Sequence, residues 1–165
     1  MNAYEFDLIF MLPPEAPDSE AHLDNLFEAG CDDATVGMGR QGEIALAFIR
    51  EAESADAAVS SAINDVEKAI FGARLIRVKP DLVGPTDVAG LADCSRQNIR
   101  HLVEKHSSEV VPVYAGSATL WHLFEIGRLL NQHSSFRIPQ ALLDVSRVAW
   151  RRNTLLEFMR RRQLA

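Results

Sequence analysis

Arg96, Gln97, Asn98, Arg100 and His101 crowd into six consecutive positions, interrupted only by Ile99. Their chemistry suits the edges of bases. A guanidinium offers paired donors that match guanine O6 and N7, and a carboxamide offers the donor and acceptor that match adenine N6 and N7. Ile99, Leu102 and Val103 recur at the spacing of a buried helical face, so the polar residues share the opposite face. Ser95 is the expected N-cap of this helix. Upstream, Thr86 is a candidate N-cap for a shorter helix, with Val88, Ala89 and Ala92 turned inward. Ala89 is small where a second helix must cross. Ala92-Asp93-Cys94 makes the turn, with Asp93 where this pattern usually carries glycine. Pro85–Glu104 therefore reads as a helix-turn-helix, or, more plainly, as a helical hairpin with a polar outer face.

Other chemistry is sparse. Gly37-Met38-Gly39-Arg40-Gln41-Gly42 matches G-x-G-x-x-G. A dinucleotide site needs that run to open a helix, and Glu43–Arg50 after it reads as a strand. The glycines then serve a hairpin loop. His22, His101, His106, His122 and His133 lack ligand spacing such as H-E-x-x-H, so no metal and no cofactor is expected. Asp32-Asp33 reads as turn chemistry. No nucleophile–base constellation emerges, and the chain is not expected to be an enzyme.

The elements that must position residues 95–104 follow from periodicity. Tyr4–Leu12 alternates as a strand, with Asp7 facing solvent by its place between Phe6 and Leu8. A helix from Asp18 or Ser19 turns Leu23, Leu26 and Phe27 inward and stops at Gly30. Ala34–Val36 and Glu43–Arg50 are strands. Ser54 caps a helix carrying Val59, Ala62, Ile63, Val66 and Ile70, and Arg74–Val78 is a last strand. The order βαββαβ predicts a ferredoxin-like α+β plan over residues 1–79, two helices on one face of a four-stranded antiparallel sheet. Lys79–Pro85 reads as a linker. Two short β-prone runs around Ala115-Gly116-Ser117 read as a hairpin, and a helix follows from Trp121–His122.

Charge divides the chain. Residues 1–80 hold 15 acidic and 6 basic side chains; residues 81–165 hold 8 and 11. A basic half suits a polyanion, although a net charge of +3 is small and calls for two copies or good base contacts. The two cysteines, Cys31 and Cys94, are far apart in sequence, so a reducing cytoplasm is the expected compartment. With no long apolar run, no membrane partner is expected.

Residues 82–130 resemble the winged-helix DNA-binding domains of the MerR and excisionase type. The matching pieces are Thr86–Val103, Val111–Trp121 and Leu123–Leu130. The whole chain is similar in layout to small bacterial helix-turn-helix proteins that carry an α+β domain ahead of this module. The resemblance implies that Arg96, Gln97, Asn98 and Arg100 enter the major groove. Thr86, Ser95 and His101 flank that set. A wing tip from Tyr114 to Thr119, including Ser117, would touch backbone or minor groove, with Trp121 plugging the core beneath it.

After a polar connection, Pro139 sits at the first turn of a helix reaching about Arg162. Leu142, Val145, Ala149, Leu156 and Met159 recur at steps of four and three, with Arg152 as a polar break. That is a heptad seam, which serves dimerisation or packs back on its own chain. The divisions are thus residues 1–79, 80–131 and 132–165. The expected function is a homodimeric bacterial transcriptional regulator that reads double-stranded DNA with helix 95–105. The alternative is an interaction module, antitoxin-like, whose acidic residues 1–79 bind a protein partner.

Overall fold

Tyr4, Phe6, Leu8 and Phe10 alternate with Glu5, Asp7, Ile9 and Met11, and Asn2–Met11 forms strand β1 with the first four buried. The computed structural model of the chain describes residues 1–37 and 39–165. After β1, Asp18 caps a short 3-10 turn (Ser19–His22) that runs into helix α1 (Leu23–Glu28). Strands β2 (Ala34–Gly37) and β3 (Glu43–Ala52), helix α2 (Ala55–Ala69, capped by Ser54) and strand β4 (Arg74–Lys79) complete the first half. The sheet is antiparallel throughout, in the order β2-β3-β1-β4. Its central register pairs Phe6 with Phe48 and Leu8 with Leu46, and the two phenyl rings stack at 5.3 Å.

Helix α1 is shorter than expected and buries only Leu26; Leu23 and Phe27 are exposed. The G-x-G-x-x-G run joins two antiparallel strands, with Gly42 at φ +83°; Met38 within it lies outside the described residues. Asp7 is half-buried on the outer face of β1, 3.9 Å from Lys79 Nζ.

The second half begins inside the stretch expected to be a linker. Leu82–Val83 is strand β5 and pairs with β7 (Thr119–His122), which pairs in turn with β6 (Tyr114–Ala115). Between β5 and β6 lie α3 (Pro85–Ala92) and α4 (Arg96–Lys105); after β7 comes α5 (Leu123–His133). Val88, Ala89, Ala92, Ile99, Trp121, Ile126 and Leu130 share one buried cluster.

The last helix, α6 (Gln140–Leu164), belongs to both cores. Leu143 sits in the second cluster, where Gly127 permits a close crossing of α5 and α6. Val145, Val148 and Ala149 sit in the first cluster, against the inner face of the sheet. The six residues of α1 leave much of that face open, and α6 lies beside α2 over β1 and β4 to cover it. The result is a mixed α+β chain of six helices and two antiparallel sheets among the described residues.

Candidate functional site

Helix α3 starts two residues earlier than its composition suggested. Gly84 is the N-cap, Pro85 occupies the first helical position, and Asp87 Oδ2 accepts the Gly84 N–H at 2.9 Å. Thr86 therefore lies inside the first turn, exposed, and is not the cap. The turn to α4 puts Asp93 at φ 52°, ψ 51°, the left-handed conformation that glycine usually supplies. Aspartate reaches it at lower cost than most residues because its short side chain bonds locally. Ser95 then caps α4 as expected, its Oγ accepting Asn98 N–H at 3.2 Å.

Burial divides α4 as its periodicity requires. Ile99 is buried, Leu102 and Val103 are half-buried, and Arg96, Gln97, Asn98, Arg100 and His101 are exposed. The exposed residues do not all look the same way. Arg96 and Arg100 line a groove of about 650 Å³ with Thr86 and Asp87 of α3 and the hairpin residues Ser117 and Thr119. Asn98 and His101 border a second, smaller groove between α4 and α5. Gln97 Nε2 lies 3.4 Å from His101 Nε2. Tyr114 is exposed at the base of the hairpin, its ring close over Gly116. Trp121 is buried beneath the hairpin, as expected of it.

The electrostatics of the first groove are balanced. Arg96 and Arg100 oppose Asp87 and Glu104 along its wall. Asp87 is partly occupied by the Gly84 N–H, and the arginines have no ion-pair partner among the described residues. Their guanidinium groups are therefore available to an incoming acceptor.

No family model and no curated protein matches this chain.

Three arrangements escaped the sequence reading. The first joins the halves. Asp81 is buried; its Oδ1 lies 2.6 Å from His122 Nδ1, and its Oδ2 accepts Asn153 Nδ2–H at 2.9 Å. Asn153 also accepts Val78 N–H and donates to Val78 O, both at 2.8 Å. The Asp81 carbonyl accepts Leu123 N–H at 2.7 Å. The supposed linker is thus pinned to β7, α5 and α6. The second is Arg50, whose guanidinium makes five hydrogen bonds to Asp33, Asp65, Ser61 and the Gly30 carbonyl. Asp33 is therefore an ion-pair partner in addition to a turn residue, and its hydrogen bond holds Arg50 protonated well beyond the ordinary range. The third is His106, Glu109 and His133, which close into one cluster between α4 and α5. Their sequence separation hid them; the H-x-x-E spacing at 106–109 holds only two of the three residues.

The heptad seam of α6 faces this chain. Val145 and Ala149 are fully buried in the first core, and Leu142 and Leu156 are half-buried. Arg152, the polar break, donates to Ser60 Oγ of α2 at 2.5 Å. Of the five seam residues only Met159 is exposed. A different stripe, Leu155, Phe158 and Met159, stands open near the end of α6, with Arg160, Arg161 and Arg162 beside it. Among the described residues no helix is long and apolar enough to cross a membrane.

Proposed function

We propose that the chain is a homodimeric, sequence-specific reader of double-stranded DNA that acts in bacterial transcription. In this reading residues 1–79 are a ferredoxin-like unit, residues 80–131 a winged helix-turn-helix of the MerR and excisionase type, and α4 the recognition helix. The strand orders β2-β3-β1-β4 and β5-β7-β6 support the two architectures. One observation carries the function. A capped helix presents Arg96, Gln97, Asn98 and Arg100 to solvent, and two of these share a groove with the tip of a hairpin.

The geometry distributes the work. Arg96 and Arg100 face the hairpin side, where a bidentate contact to guanine and a phosphate contact from Ser117 or Thr119 fall within one footprint. Gln97, Asn98 and His101 face the other side of α4. Because the groove carries as many acidic as basic side chains, counterion release from one chain is modest. Two chains, paired through Leu155, Phe158 and Met159, would supply two recognition helices to half-sites about 34 Å apart.

Selection of random duplexes by the purified protein at two salt concentrations tests this. An enriched pseudo-palindrome is the expected result, with affinity falling as salt rises. Arg100→Ala is expected to cost about 1–3 kcal/mol and relax one position of the site. Equal binding by that variant refutes the recognition face. Exposed Phe27, Ile49 and Phe71 in the acidic half favour a second reading, a protein-binding module. Failure of any duplex to enrich, with capture of a defined basic partner by the full chain, decides for it.

A further inference from the structure

We propose that His106, Glu109 and His133 form a divalent transition-metal site that fastens the C-terminal end of α4 to the C-terminal end of α5. This proposal stands apart from the DNA-binding reading.

The backbone builds the site. His106 closes α4, and its carbonyl accepts Glu109 N–H at 2.9 Å. That turn folds the Glu109 carboxylate back over the His106 ring, with Oε1 2.9 Å from Nδ1. His133, the last residue of α5, brings Nε2 to 3.3 Å from the other carboxylate oxygen. One donor atom from each residue lies within 4.8 Å of the other two. A tetrahedral ion with bonds of about 2.0–2.2 Å holds its ligand atoms roughly 3.3–3.6 Å apart. The observed spacings need small side-chain rotations to meet that figure, and Glu109 and His133 are exposed enough to make them.

Two further features point to a cation. The imidazole rings stack with centroids 4.0 Å apart. The stack brings ligand nitrogens from the ends of two helices within reach of one ion. Two helices also end here, and the negative ends of their dipoles converge on the cluster. Two nitrogens and one carboxylate favour zinc, cobalt, nickel or copper over magnesium and calcium. An adjoining groove of about 230 Å³ is lined by His106 and His133, with His101 and Lys105 at its border.

The test is titration of the full chain, freed of metal by chelator, with Zn2+ by calorimetry and with Co2+ by visible absorption. One ion per chain is expected, with cobalt bands of low coordination number and no sulfur charge-transfer band. Changing an outer-shell partner alone shifts metal affinity by roughly 10–100-fold, so His133→Gln and His106→Gln should each exceed that, with far-UV circular dichroism unchanged. Absence of uptake at micromolar metal overturns the proposal. So does uptake that both variants retain, or a thiolate band that moves the ion to Cys31 or Cys94.

Discussion

Asn153→Ala is the sharpest probe of how the two cores are joined. The Asn153 side chain makes three hydrogen bonds, to Val78 N–H, Val78 O and Asp81 Oδ2, and is itself buried. Truncation leaves a backbone donor and a backbone acceptor without partners, and strips one donor from a buried carboxylate. Each orphaned group costs about 1–3 kcal/mol, with the carboxylate at the upper end. Local relaxation and entry of water recover part of this, so the expected loss is about 3–5 kcal/mol. Asn153→Asp is expected to be at least as damaging. It keeps the acceptor for Val78 but loses the donor and sets a second carboxylate beside Asp81. Urea unfolding followed by far-UV circular dichroism and by tryptophan fluorescence measures both variants. The fluorescence comes from Trp121, buried in the second core, and from Trp150, which packs 5.3 Å from His122 at the joint. The midpoints from the two signals should fall together. A loss below about 1 kcal/mol for Asn153→Ala would refute the reasoning, because the unpaired groups would then have found other partners at no cost.

Arg50→Ala removes the cation that pairs with Asp33 and Asp65 in a part-buried site and should cost roughly 2–4 kcal/mol in urea; Arg50→Lys should recover little of it, since an ammonium cannot reproduce the bidentate fork to Asp33. Asp93→Gly should raise stability by about 0.5–1 kcal/mol by relieving the left-handed backbone, while Asp93→Val should lower it by more than that; the shift of the urea midpoint at constant slope checks both. Burial, followed by the charge of Asp65, pushes the Cys31 thiol from 9.0 up to about 11. The folded chain keeps a proton that the unfolded chain releases, so stability is full below pH 9 and declines from there toward about 11. Cys31→Ala should flatten that decline in a pH series of melting temperatures.

Much of the fold was legible where its signals are local. The alternation of Tyr4 to Phe10, the caps Ser54 and Ser95, and the apolar stripe of α2 all appear as expected. Helix α1 misled because its three apolar residues follow helical spacing while the helix has only six residues. One buried side chain, Leu26, is all that so short a segment can dock. The linker misread had a different cause. Pro80, Gly84 and Pro85 are loop residues by composition, yet Leu82 and Val83 between them pair with residues some forty positions away in sequence. Nothing local announces such a pairing, nor the contact of Asp81 with Asn153. The site divided along the same line. The exposure of residues 96–98 and 100–101 followed from the periodicity of one helix. Which of them face the hairpin, and the meeting of His106 with His133, depended on the packing of separate elements.

Helix α6 supplies Val145, Val148 and Ala149 to a core whose other members lie within residues 4–78. Proteins are made from the N-terminus, and domains generally fold as they emerge. The first sheet cannot do so to completion. Its strands and α2 are synthesised sixty residues before the helix that covers β1 and β4. Until then an apolar face stays open, and the intervening segment must fold while tethered to an unfinished neighbour. The order of synthesis and the order of closure therefore run in opposite directions, and the sheet made first is among the last parts to be sealed.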